Sequence, residues 1–409
     1  INTSIEELEY EFMSTIYHLT KNRFSKIAFL TGNGELSEQQ VYDINESVLD
    51  DNFNLSYYYK VERFNIKEFI IDSTTMLPDL SKQSDLLSNY EAIIIAKPTI
   101  PFNNLDKFLI DQYIMQGGKV LWLLDGVNAS MDSLETNLAS FIATRNNLNI
   151  NDQLMRYGVR INFNLIEDLR STKIPVITGY SNKKPQKTFF NWPYYPLILS
   201  DSKHKISKGI DDLKCEFVSS IDTIRNDIQK TILLHSSNRS RFIPSPNKIS
   251  LRILKNTPPI KSYNKEFLPI AVLLEGEFES IFKGKLIPKN QQIQFIKKSV
   301  TTKMIVISDG DMIANDFSLS GKIFPLAYDK DLKYTYSGNK HFIINAVQYL
   351  CGDINLGNLK LKELSLRMLD KEKIRKNKFI IQSINIVLPI LLLVLFSIFF
   401  LNYKKRKYA

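Results

Sequence analysis

From Phe379 to Leu401 the chain runs FIIQSINIVLPILLLVLFSIFFL, twenty-three residues without one Asp, Glu, Lys, Arg or His. At the helical rise of about 1.5 Å per residue such a run spans roughly 34 Å, enough to cross a bilayer core of about 30 Å. A core helix of a water-soluble domain shows a polar face, and this stretch has none. Pro389 lies mid-segment, and membrane helices tolerate proline where soluble ones do not. The segment reads as a membrane anchor rather than a buried helical hairpin or an oligomerisation seam.

The anchor accounts for the charge. The chain carries +10 overall. Between Arg367 and Ala409 stand ten basic residues against Asp370 and Glu372, a flank of +8 that leaves +2 for residues 1–366. The excess lies where anionic headgroups would sit, so membrane lipids are the expected partner of this basic charge. No basic stripe with interleaved aromatics occurs elsewhere, and nucleic acid is not an expected partner. The tail KKRK points to a cytoplasmic C-terminus, but the preceding KEKIRKNK is as basic, so the count alone does not fix orientation.

Some 378 residues precede the anchor, enough for two or three domains, with the 44% hydrophobic content of a globular chain. The sequence opens at Ile1 without a signal peptide, so an upstream targeting segment or second membrane helix is expected. Cys215 and Cys351 lie far apart with no metal spacing and read as isolated thiols, with a disulfide as the alternative.

Residues 4–21 have helical periodicity, with Ile5, Leu8, Phe12, Ile16 and Leu19 on one face. After them, apolar runs alternate with helical patterns. KIAFLTGNGE (26–35) is a strand and turn, and residues 37–51 a helix with Ser37 as N-cap and Gln40 three residues on. NLSYYYKV (54–61), EAIIIAKPT (91–99) and KVLWLLDG (119–126) are strands, and NLDKFLIDQYIMQGG (104–118) a helix closed by glycine. This alternation predicts a parallel α/β sheet, Rossmann-like or flavodoxin-like, over residues 1–150. Residues 151–353 form a second α/β or α+β region, completing the same sheet or building another. Strands are expected at 160–168, 173–180, 215–224, 231–237, 267–282 and 303–316, a loop at 187–201, a hinge at 238–262 and a helix at 338–353. Residues 354–378 then make a basic helical stalk, 379–401 the transmembrane helix and 402–409 a basic tail.

The chain shows little chemistry. TGNGE follows a strand, where glycines can let a phosphate approach, yet it is neither GxGxxG nor a P-loop. Asp309, Asp311, Asn315 and Asp316 crowd into DGDMIAND without the spacing or glycine of an EF-hand, so no metal is expected. The four histidines are scattered, and no cysteine occurs in residues 1–214, where an amidotransferase-like enzyme would need one after a strand. No catalytic residue and no cofactor are assigned. Ligands of α/β sheets bind at the C-terminal ends of the strands. That rim carries Gly32, Asn33, Gly34 and Glu35, Lys97 and Pro98, and Asp125 and Gly126.

The set TGNGE, AKPTIPFNNLDKFLIDQYIMQGGKVLWLLDGVNASMDSL (96–134), VISDGDMIAND and GNKHFIINAVQYLCGD resembles the GldG family, gliding-motility-associated auxiliary components of ABC transporters in Bacteroidota. The resemblance covers most of residues 1–401. It implies an inner-membrane protein with a large periplasmic domain, a C-terminal transmembrane helix and a short cytoplasmic tail. Its partners would be a separate ABC permease and cytoplasmic ATPase. Its N-terminal domain would resemble the Rossmann-like, non-catalytic module of intraflagellar transport proteins. On this reading the chain is a non-enzymatic auxiliary subunit whose α/β domain binds a partner, a small ligand or a glycan. The alternative is a membrane-anchored enzyme of amidotransferase-like or hydrolase-like fold, with Asp125, His204 and the 309–316 turn converging.

Overall fold

The computed structural model describes residues 24–49, 53–71, 78–136, 140–181, 183–198, 204–285, 295–318, 320–353 and 378–408, with residues 12, 15, 16 and 76. Apart from residues 12, 15 and 16, which are helical, the expected helix over 4–21 lies outside the described residues, as does the stalk as far as residue 377. Nine strands carry the argument: β1 Lys26–Thr31, β2 Lys60–Asn65, β3 Ala92–Ala96, β4 Lys119–Leu123, β5 Ser171–Ser181, β6 Lys184–Ile198, β7 Gln229–His235, β8 Pro269–Gly276 and β9 Thr302–Ile307. Four helices matter with them: α1 Leu80–Ser88, α2 Asn104–Met115, α3 Gly338–Cys351 and α4 Lys378–Tyr408.

Seven strands form one sheet in the order β7-β8-β9-β4-β3-β1-β2. From β9 to β2 all neighbours are parallel, while β7 and β8 add an antiparallel edge. The sheet draws strands from both sides of residue 150. The order β2-β1-β3-β4 is flavodoxin-like. β3 is AIIIA with all five residues buried, which requires apolar packing on both faces. Alternate side chains supply it. Ile27, Phe29 and Ile94 join the core shared with Phe342 and Val347 of α3, whereas Ala28, Leu30 and Ile93 join the core shared with Phe108 and Ile114 of α2. The sheet is thus the middle of three layers.

The helices are stopped where the sequence has the residues to stop them. Asn103 accepts N–H groups from Leu105 and Asp106, and Asp106 returns a bond to the Asn103 N–H, closing a capping box on α2. Gly117, at φ +98°, ends it. Ser37 and Gln40 exchange the reciprocal bonds expected of them, although only a 3-10 turn (Gln39–Val41) and one helical turn (Tyr42–Asn45) follow. In the expected strand over 54–61, the Asn54 side chain caps a helical turn, Leu55–Tyr58, by accepting the Tyr57 N–H, and β2 begins only at Lys60.

Residues 127–250 add short antiparallel pairs around a third core that includes Leu165, Trp192, Tyr194 and Phe217. Of the expected strand over 215–224, only Ile221–Thr223 is extended. The expected loop at 187–201 is instead mostly strand, β6, which pairs with β5. Pro193 and Pro196 sit where the ladder breaks: the register shifts between Asn191 and Pro196, and Pro193 lies inside the break. The expected hinge at 238–262 contains the strands Ser240–Pro244 and Asn247–Ser250.

Residues 363–409 separate as a unit of their own. Within it α4 is one helix of 31 residues that carries Pro389 and continues through the expected tail as far as Tyr408. Its side chains are described without a break only over Val387–Phe400, all exposed, a stretch of about 21 Å. Among the described residues no helix is long and apolar enough to cross a membrane. The transmembrane expectation therefore rests on the sequence run 379–401.

Candidate functional site

Three adjacent parallel strands end in charged residues at one edge of the sheet. Lys97 follows β3, Asp125 lies just beyond β4, and Asp309 and Asp311 follow β9. Because the strands are neighbours in register, these side chains converge. Carboxylate oxygens of Asp125, Asp309 and Asp311 all lie within 4.8 Å of one another. Such a triad has the donor chemistry of a cation site. Here the chain supplies its own cation. The Lys97 ammonium bonds Asp311 and lies 3.8 Å from Asp125. Lys97 takes a left-handed backbone, φ +51°, immediately after β3, a conformation uncommon for a residue with a Cβ.

Backbone bonds fix the carboxylates. Asp125 accepts the Gly310 N–H at 2.6 Å, and Asp309 accepts the N–H groups of Asp311, Met312 and, at 2.9 Å, Glu216. Glu216 belongs to a second pair, with Lys214 at 2.7 Å, and Lys214 lies over the Tyr195 ring of β6. Glycine is required at 126. A Cβ there would stand 2.5 Å from the Asn162 carbonyl and 2.6 Å from Ser219 Oγ.

Burial sets the protonation. It pushes Asp309 well above the usual carboxylate range, helped by the neighbouring Asp311 and Asp125. It lifts Asp311 to about 7, with Asp125 adding to the rise and Lys97 opposing it. Burial also raises Asp125 against the pull of Lys97. The same burial works against the Lys97 charge, but Asp311 and Asp125 outweigh it and leave the ammonium raised. For Glu216, Lys214 and the Tyr195 hydroxyl outweigh burial and hold it below its usual value. Two lysines thus face four carboxylates, Glu216 held below the ordinary range and Asp125, Asp309 and Asp311 raised above it, Asp311 to about 7.

The structure brings Lys97 and Asp125 together and puts the TGNGE residues elsewhere on the rim. Asn33 is wholly buried. Its carbonyl accepts the Thr99 and Ile100 N–H groups, its N–H donates to Glu35, and neither amide atom of its side chain has a partner among the described residues. Burial raises the Glu35 carboxyl. Gly34 lies against Thr99, and Gly32 against Asn65 and Lys67. His204 does not join Asp125. It packs on Tyr349 near Glu275 and Lys303, which pair at the start of β9, the opposite end of that strand from Asp309. The thiols also stand at opposite ends, Cys215 beside Asp309 and Cys351 near Glu91 and Lys119, and both are free.

Lys214, Glu216 and Tyr195 were not visible as site residues in the sequence. The available signal was a repeated strand ending, LLDG at 123–126 and ISDG at 307–310, which marks β4 and β9 as neighbours.

Residues 25–346 match the profile of the ABC transporter auxiliary family, described as an ABC-type uncharacterized transport system. The chain belongs to this family. The fold has a weak likeness to the solved mmIFT52 N-terminal domain, with 14% identity, a TM-score of 0.41, and coverage of 80% of this chain and 97% of that one. No curated protein matches the sequence. As a member of the auxiliary family the chain is associated with ABC transport, and that family suggests a non-catalytic role.

Proposed function

We propose that this chain is a membrane-anchored, non-enzymatic subunit of an ABC transporter. Residues 379–401 would hold it in the inner membrane beside a permease that works with a cytoplasmic ATPase. The α/β body would stand on the periplasmic side and the basic tail on the cytoplasmic side. The observation that carries this is the family match over residues 25–346. Two further features support it. The uncharged sequence run 379–401 is long enough, as a helix, for a bilayer core of about 30 Å. The strand-end rim, where an α/β enzyme would keep its reactive groups, is closed by ion pairs within the chain. On this reading the rim serves as a rigid docking surface. The resemblance to gliding-motility components supports a role in that system.

The test is affinity purification from detergent-solubilised native membranes through a tag after Ala409, with the tag also placed on a chain lacking residues 379–409. Recovery of an ABC permease and ATPase with the full chain, lost on the deletion, is the expected outcome. Recovery of the full chain alone, from membranes that yield other transporters intact, would overturn the proposal.

A further inference from the structure

Strands β5 and β6 form a hairpin whose outer part leaves the body of the protein. At its base Ile174, Trp192 and Tyr194 are buried in the third core. Beyond Pro175 the arm carries Ile177 at 52% exposure, Tyr180 at 71% and Phe189 at 40%. Residues 175–181 extend about 23 Å as a strand. Among the described residues the outer arm has no third strand, and a two-stranded hairpin without one is marginal in water.

What covers it is constrained by charge and by geometry. From Leu169 to Ile198 the chain has Arg170, Lys173, Lys183, Lys184 and Lys187 and no acidic residue. Arg170 and Lys187 pair with Asp212 and Asp331, whereas Lys173 and Lys183 have no partner among the described residues. The apolar groups share one face. Ile177 pairs with Lys187, Pro175 with Phe189 and Tyr180 with Pro185, and the extra residue at Thr178 returns Tyr180 to the face of Ile177 and Phe189. Lys173, paired with Asn191, lies on it too. A face of apolar and aromatic groups among lysines, in a segment without a carboxylate, complements an anionic surface. An anionic bilayer interface accepts aromatic rings at headgroup depth and attracts lysines.

We propose that the β5–β6 arm is a second membrane contact, inserting Ile177 and Tyr180 into an anionic leaflet with Lys173 and Lys183 on lipid phosphates. This rests on the anchored reading above. The full chain carrying Tyr180→Trp would be placed in nanodiscs of brominated phosphatidylcholine, with and without phosphatidylglycerol. The native Trp122 and Trp192 are completely buried and give a constant background. The expected result is a blue-shifted indole at 180, quenched about twofold in the anionic discs and released by adding Lys173→Glu and Lys183→Glu. Equal quenching in both lipids, or none in a chain that elutes with the discs, overturns the proposal while sparing the anchor. A blue shift without quenching assigns the arm to a protein neighbour and overturns it as well. A chain that does not elute with the discs removes the anchor and the arm together.

Discussion

The Gly310 N–H donates to Asp125 Oδ1 over 2.6 Å, so the turn after β9 is tied directly to the end of β4. That bond joins two strand ends separated by some 180 residues of chain, and Lys97 completes it from a third strand.

Lys97 is the cation on which this arrangement depends. Lys97→Ala leaves three buried or half-buried carboxylates facing one another, and should lower unfolding free energy by about 3 kcal/mol. The vacated space presents hard oxygen ligands within 4.8 Å of one another, so millimolar calcium should raise the melting temperature of the variant but not of the native chain. Chemical denaturation with and without calcium measures both effects. A variant as stable as the native chain and indifferent to calcium would show that the carboxylates are not held together by Lys97.

Asp311 gives the site a pH dependence of unusual sign. Its folded-state value, about 7, lies above the 3.8 of an ordinary aspartate. Between those values the folded state binds more protons than the unfolded one. Its contribution to stability is therefore full below about pH 4 and is lost as pH rises through about 7. Asp309 and Asp125, also raised by burial, act in the same direction. The melting temperature should fall from pH 4 to pH 7, and Asp311→Asn should flatten part of that slope. Glu62, held down to about 2 by Lys60 and Tyr90, acts oppositely and only at lower pH. A melting temperature that rises steadily to pH 7 would refute the buried-carboxylate account.

Gly34 fixes the turn after β1 to the loop after β3. Its φ is +73°, and an added Cβ would stand 2.2 Å from Thr99 Oγ1. Gly34→Ala should therefore destabilise by about 2 kcal/mol, from backbone strain and from the clash together. Adding Thr99→Ala should recover the steric share and leave about 1 kcal/mol of backbone strain. Denaturant midpoints of the single and double variants separate the two parts.

The sequence exposed the local elements of this fold more readily than their neighbours. The wholly apolar run Ala92–Ala96 is a doubly covered strand, and Asn104–Met115 and Gly338–Cys351 have the periodicity of the helices they form. The placement of β9 beside β4 depends on contacts between residues more than 180 positions apart, which no local periodicity records. The aromatic and proline content of 187–201 favours a loop, and only the register break around Pro193 lets β6 keep its ladder. The site was legible as a location. Lys97 and Asp125 met as strand-end neighbours, but Glu216 lies at the start of the expected strand 215–224, which does not form there, and its N–H is instead held by Asp309.

Asn33 separates structural from functional demand at this rim. Its side-chain amide is fully buried without a partner among the described residues, a state that costs about 1–3 kcal/mol, while its backbone already makes the bonds that hold the turn. Asn33→Leu, with the same branching and no polar atoms, should keep the fold and stabilise it by up to about 1 kcal/mol, less what its larger methyls cost in crowding. If the rim is the docking surface of the auxiliary subunit, the same variant should recover less permease and ATPase from native membranes despite its higher melting temperature. A stabilised variant with undiminished recovery would place the docking surface away from this turn.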